Sequence, residues 1–138
     1  MTNLELARDP NATPEQLKIL ATDDDRYVRY CVAQHPNTSP ETLQLLATDD
    51  DNCYVRWWVA QHPNTSPETL QLLATDDYYM IVSLVAQHPN TLPETLELLA
   101  TNDDCYVRYE AAHNPNATEI VRRLYLMTEA QYKKNYKV

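Results

Sequence analysis

Glycine is absent from this chain of 138 residues. Loops that cradle a phosphate use glycine so that the backbone can approach it closely. Neither G-x-G-x-x-G nor G-x-x-x-x-G-K-[ST] occurs, and nucleotide chemistry of those two kinds is excluded. Cysteine is scarce. Cys31, Cys53 and Cys105 are odd in number and form no C-x-x-C pair, so reduced thiols are expected rather than a disulfide framework or a thiolate zinc site. Positive charge is short as well: 11 Lys and Arg face 20 Asp and Glu, a net charge of -9. Such a surface repels phosphate backbones and anionic lipid, which argues against nucleic acid or a membrane as partner. No apolar run reaches the length of a membrane span, and the opening MTNLELARDP carries charge where a signal peptide needs an apolar region. A cytoplasmic location is the expectation. A chain of this size forms one small domain and buries roughly two thirds of the surface exposed when unfolded.

What is present is repetition. Pro-Asn recurs at Pro10, Pro36, Pro63, Pro89 and Pro115, at spacings of 26, 27, 26 and 26 residues. Aligned on it, each unit holds two segments. The first reads TPEQLKILA (13–21), SPETLQLLA (39–47), SPETLQLLA (66–74) and LPETLELLA (92–100). The second reads RYVRYCVAQ (26–34), CYVRWWVAQ (53–61), YMIVSLVAQ (79–87) and CYVRYEAAH (105–113). The units span about 10–35, 36–62, 63–88 and 89–114, with a partial unit at 1–9 and a cap and frayed basic tail at 115–138.

Ser or Thr before Pro in three first segments predicts an N-cap followed by proline at the first helical position, where its missing N–H costs nothing. Leu17, Leu20 and Ala21, and Leu43, Leu46 and Ala47, then fall on one helical stripe. In the second segment Val28, Val32 and Ala33, or Val55, Val59 and Ala60, form another. The acidic turn between them has Asp24, Asp51, Asp77 and Asp103 in one column, expected to cap the second helix. Proline after each second segment stops it. One unit of about 26 residues cannot bury both stripes, whereas stacked units join them into a continuous core. The expected fold is all-α without a sheet, an α-solenoid of two-helix repeats.

The stretch VAQHPNTSPETLQLLATDDDNCYVRWWVAQHPN resembles the leucine-rich repeat variant family, whose units run approximately V-A-x-N-P-x-T-P-x-x-x-L-x-x-L-A-x-D-x-x-x-x-V-R-x-x-V-A. The likeness covers about residues 4–117. It implies a right-handed superhelix of alternating α- and 3₁₀-helices, and the Asp turn followed by Val-Arg is also similar to HEAT repeats. The family's Asn before Pro is Asp9, His35, His62 and His88 here and returns as Asn114. The iron-sulfur centre of some family members needs an N-terminal cysteine cluster that this chain does not have, so no cofactor is expected. The family is not tied to one reaction.

The remaining candidates are columns. His35, His62 and His88 stand one repeat apart, about 8–10 Å, too far to share a metal that binds nitrogen at about 2.0 Å, and are expected to bond locally at their own turns. The runs Asp23–Asp25 and Asp49–Asp51 lack the alternation and glycine of a calcium loop. Arg29, Arg56 and Arg108 either pair with an adjacent acidic turn or offer a bidentate fork to a partner. Tyr27, Tyr54, Met80 and Tyr106 form one aromatic-rich column; Tyr30, Trp57, Ser83 and Tyr109 form another, three residues on. Both are expected to be partly exposed, while Trp58, in a column with Cys31, Leu84 and Glu110, is expected at the edge of the core. These rings either pack between repeats or form a recognition strip. Ten Tyr, two Trp and no Phe favour surfaces that alternate between water and a partner. The expectation is a non-catalytic module binding a protein or peptide, a basic one given the acidic turns. The alternatives are a HEAT-like enzyme or accessory factor that stacks a small aromatic ligand on Trp57, and a structural segment of a larger assembly.

Overall fold

The structure, a computed structural model, describes residues 1–48 and 52–136. Asp49, Asp50 and Asp51, one of which belongs to the Asp column, lie outside the described residues. All secondary structure among the described residues is helical, with no strand. No helix there is long and apolar enough to cross a membrane. The chain divides into two units, Met1–Leu73 and Ala74–Val138.

The first unit contains α1 (Asn3–Arg8), α2 (Pro14–Leu20), α3 (Arg26–Gln34), α4 (Pro40–Ala47), α5 (Cys53–Gln61) and α6 (Pro67–Leu73). The second contains α7 (Tyr79–Gln87), α8 (Pro93–Leu99), α9 (Cys105–His113) and α10 (Glu119–Asn135). Within the first, α3 packs against α1 and α5, and α4 against α5 and α6; within the second, α9 packs against α7, α8 and α10.

Local chemistry explains the boundaries. Thr13 caps α2 by accepting from the Gln16 N–H at 3.2 Å, and the Gln16 side chain accepts in return from the Thr13 N–H at 2.9 Å. Such a reciprocal pair satisfies two backbone donors that a helix start otherwise leaves open. Ser39 caps α4 in the same place. In the second helices the caps are Asp25, Asn52 and Asp104, one residue after the expected Asp column. The reason lies one step upstream: the Asp23, Asp76 and Asn102 side chains each accept from the N–H two residues on, at 2.8, 3.0 and 2.9 Å. That turn fixes the register, and the cap falls where it ends.

Helices of both kinds are α-helical, with bonds such as Ala21 N–H to the Leu17 carbonyl at 2.9 Å, and no 3₁₀-helix occurs among the described residues. A stripe at i, i+3 and i+4 suits 3.6 residues per turn, not three, which corrects the alternation implied by the resemblance. Each stripe is the core of its unit. Leu17, Leu43, Val32, Val55, Val59 and Leu70 are fully buried in the first, and Val85, Leu96, Leu99, Val107 and Val121 in the second. The C-terminal segment also differs from the expected frayed tail: α10 continues through Asn135, held by side chains on its inner face.

Candidate functional site

The turns at His35, His62 and Asn114 are built from side chains that bind the preceding repeat of the same unit. Nδ1 of His62 accepts from the Asn64 N–H at 3.0 Å, so the ring proton sits on Nε2, which donates to the His35 carbonyl at 2.8 Å. His35 does the same with the Asn37 N–H and the Asp9 carbonyl. Asn114 performs both tasks with its amide: Oδ1 accepts from the Asn116 N–H at 2.9 Å, and Nδ2 donates to the His88 carbonyl at 3.0 Å. Imidazole and carboxamide are equivalent here because each offers an acceptor and a donor about the right distance apart. The expectation of local bonding covered half of this; the other half runs between repeats. Asn37 and Asn64 add a second tie, donating to the Ala12 and Thr38 carbonyls at 3.0 and 3.1 Å. Among the described residues, no group of three or more His, Cys, Asp or Glu could hold a metal ion.

The arginine column turns inward. Arg29 is only 9% exposed, and its Nη1 donates to the Asp23 and Asp24 carbonyls at 2.7 and 3.0 Å. Arg108 is 3% exposed and binds the Asn102 and Asp103 carbonyls in the same way. Its Nε also meets Glu129 Oε1 at 2.7 Å, and the Tyr132 ring lies 4.2 Å from its guanidinium carbon. Neither guanidinium is open to a partner's carboxylate, so for these two residues the outward fork gives way to closing the acidic turn. Arg56 is half-buried. Where the column holds Val82, a cavity of about 350 Å³ lies beside it, lined also by Asp76, Asn102 and Asp103.

The aromatic residues separate into two depths. Tyr27, Tyr54, Met80 and Tyr106 are all exposed, by 58, 66, 55 and 51%. In the next column Tyr30 and Trp57 are half-buried and Tyr109 is exposed, while Ser83 is buried. In the first unit the rings meet edge to face, Tyr30 with Trp58 at 6.2 Å and Trp57 with Trp58 at 5.0 Å. Trp58 is thus the centre of a three-ring cluster; the exposed Tyr27 and Tyr54 stand three residues before Tyr30 and Trp57 on the same helices, and Arg26 lies over the Tyr27 ring. In the second unit Tyr109 stacks on His113 at 4.0 Å, and His113 meets Tyr125 of α10 edge-on. A hydrogen bond to the Glu110 carboxylate raises the Tyr106 hydroxyl above its ordinary pKa, because that carboxylate favours the protonated phenol. For Tyr132, burial is the larger cause of a raised value, followed by its bond to Asp103.

One exposed column escaped sequence reading. Ile19, Leu45, Leu72 and Leu98 occupy the same position of the first helices and are 74, 50, 53 and 54% exposed. Their signal was an apolar side chain two residues after the core leucine, off the buried stripe. In the first unit a groove of about 430 Å³ runs past Lys18, Glu41, Gln44, Leu45, Thr48 and Leu72.

No protein-family model, curated protein or solved structure matches this chain.

Proposed function

We propose that the chain is a right-handed α-solenoid of the leucine-rich repeat variant kind. It acts in the cytoplasm as a non-catalytic module that holds a basic segment of another protein against the ring-rich face of its second helices. The stacking part is supported by the ladder from one His-Pro-Asn turn to the preceding one. The observation that carries the binding part is the arrangement on α3 and α5. A half-buried Tyr30, Trp58 and Trp57 cluster gives a stiff apolar floor, and the exposed Tyr27 and Tyr54 stand beside it. Rings with a polar tip suit such a margin, since each loses few rotamers on binding and its hydroxyl stays hydrogen-bonded in either state. The exposed carboxylates of Asp24 and Asp25 lie just before α3, so a ligand with Lys or Arg flanking an aromatic or aliphatic anchor is favoured electrostatically.

The test is selection from a random peptide library on the intact protein, followed by affinities for the Tyr27→Ala, Tyr54→Ala double variant. Those side chains are exposed, so the fold is retained. The expected result is enrichment of basic peptides carrying an apolar anchor, quenching of Trp57 and Trp58 fluorescence on binding, and at least tenfold weaker binding by the variant. Peptides bound equally well by both proteins, with unchanged fluorescence, would reject the strip.

A further inference from the structure

The outward faces of the first helices and of α10 are complementary, and neither belongs to the ring-rich strip. On α4 and α6, Leu45 and Leu72 are exposed, and one turn earlier on the same face stand the exposed Glu41 and Glu68. Each helix therefore presents an apolar and an acidic side chain as a rung, and the groove past Glu41, Leu45 and Leu72 joins the two rungs. Packed helices place successive rungs about 8–10 Å apart.

α10 carries the opposite pattern. Its inner side holds Val121, Tyr125 and Tyr132 against the rest of its unit. Ile120, Arg123, Met127, Ala130 and Lys134, at i, i+3, i+7, i+10 and i+14, share its outer side and are all exposed. Ile120 and Met127 are 58 and 69% exposed, and seven residues of helix rise about 10 Å. Their separation matches that of two rungs, with Arg123 between them, an exposed cation that exchanges its surface pairing with Glu119 at 2.8 Å on docking.

We infer that α10 of one copy docks across α4 and α6 of a second copy, seating Ile120 and Met127 on Leu45 and Leu72 while Arg123, between those two anchors, faces the carboxylates of Glu41 and Glu68. The two surfaces are different patches of one chain, so the contact is head-to-tail. Unless its rotation closes a ring, or a two-fold axis brings two such contacts together in one dimer, it propagates into chains of copies. Charge supplies its salt dependence, because the pairs are at the surface and screened.

Sedimentation velocity on the full chain tests this, with a complementation design. The wild type is expected to show mass growing with concentration beyond a dimer at low salt, and less growth at 0.5 M salt. The ridge variant Leu45→Lys, Leu72→Lys and the helix variant Ile120→Glu, Met127→Glu are each expected to be monomeric. All four side chains are exposed, and circular dichroism checks that both variants stay folded. Mixed together, the two variants retain one intact half each and are expected to form a 1:1 complex that goes no further. Tyr27→Ala with Tyr54→Ala is expected to leave self-association unchanged, which separates this contact from the strip. The inference is overturned by a wild type that stays monomeric at low salt, by self-association that survives both variants, or by variants that fail to pair. A monomeric wild type that captures a synthetic basic amphipathic helix only when Leu45 and Leu72 are intact would likewise overturn it and give the ridge to a foreign helix.

Discussion

The second helix α3 and the second helix α9 share five of nine residues, RYVRYCVAQ and CYVRYEAAH, including both tyrosines and the arginine, yet their surroundings differ. Along α3 and α5 the rings lean on one another, and Tyr27 and Tyr54 remain open to water. Along α9 the long helix α10 forms a roof: Glu129 and Tyr132 close over Arg108, and Tyr125 over His113. A side chain in a repeat takes its role from what its neighbour lays over it: Arg108 is covered by α10, while Tyr106 and Tyr109 on the same helix stay 51 and 48% exposed. At the roof Arg108 meets two carbonyls, a carboxylate and a ring in one pocket.

The largest effect is therefore expected there. Arg108→Ala leaves the carbonyls of Asn102 and Asp103 without their donor and Glu129 without its cation, at a cost of about 3 kcal/mol. Urea unfolding measures the loss, and hydrogen exchange is expected to show the second half of α10 opening first. A loss below about 1 kcal/mol would mean that the roof stands without the arginine, and that α9 and α3 are more alike than their contacts suggest.

The turns offer a second comparison, between His62 in the first unit and Asn114 in the second. Both join an N–H two residues on to a carbonyl of the preceding repeat. His62→Asn is expected to be nearly neutral, within about 1 kcal/mol, whereas His62→Ala strands both groups in a buried place and costs about 2 kcal/mol. Equal losses for the two substitutions would show that ring volume, not bonding, matters at this position.

How much of this was legible in the sequence follows from where the information lies. Repeat period, helix starts and core stripes depend on spacing within one unit, and Leu17 or Val55 betrays its burial by position alone. Arg29 and His62 were harder, since their partners belong to a turn five or six residues away or to the preceding repeat, and a column of like residues does not say which way it faces. Asp25 rather than Asp24 holds the cap, because three consecutive acids look alike until the Asp23 turn sets the register. The roof over Arg108 depends on Glu129 and Tyr132, which lie outside the repeat altogether and had no column to mark them. The exposed Leu45 is an apolar residue off the stripe, and spacing within one helix does not say that its face stays uncovered.

A third contrast is between the centre and the margin of the ring cluster in the first unit. Trp58 touches both Tyr30 and Trp57, so Trp58→Ala removes two edge contacts and a half-buried indole, for about 2 kcal/mol. Tyr54 is exposed, and Tyr54→Ala is expected to change stability by less than about 0.5 kcal/mol. Thermal melting of the two variants distinguishes them, and a Tyr54 loss as large as that of Trp58 would make the margin structural and leave little of the strip free for a partner.

The smallest effect separates the acidic turns themselves. Asp23 and Asn102 hold the same place, each accepting from the N–H two residues on, but only the first can be protonated. The backbone N–H of Asp25, with the Asn3 side chain second, holds the Asp23 carboxyl below its ordinary range. A depressed value means that this carboxylate supports the fold fully above the unfolded pKa of about 3.9 and loses that support as pH falls through the folded value. Acid is thus expected to loosen the turn before α3 by a route that the turn before α9 does not have. The amide proton shift of Asp25, followed by NMR below pH 5, is expected to move less in Asp23→Asn than in the wild type, because the carboxamide oxygen still accepts but no longer titrates. If the variant titrates like the wild type at that amide, the Asp23 bond is not what holds the turn, and the two turns differ in sequence without differing in response to acid.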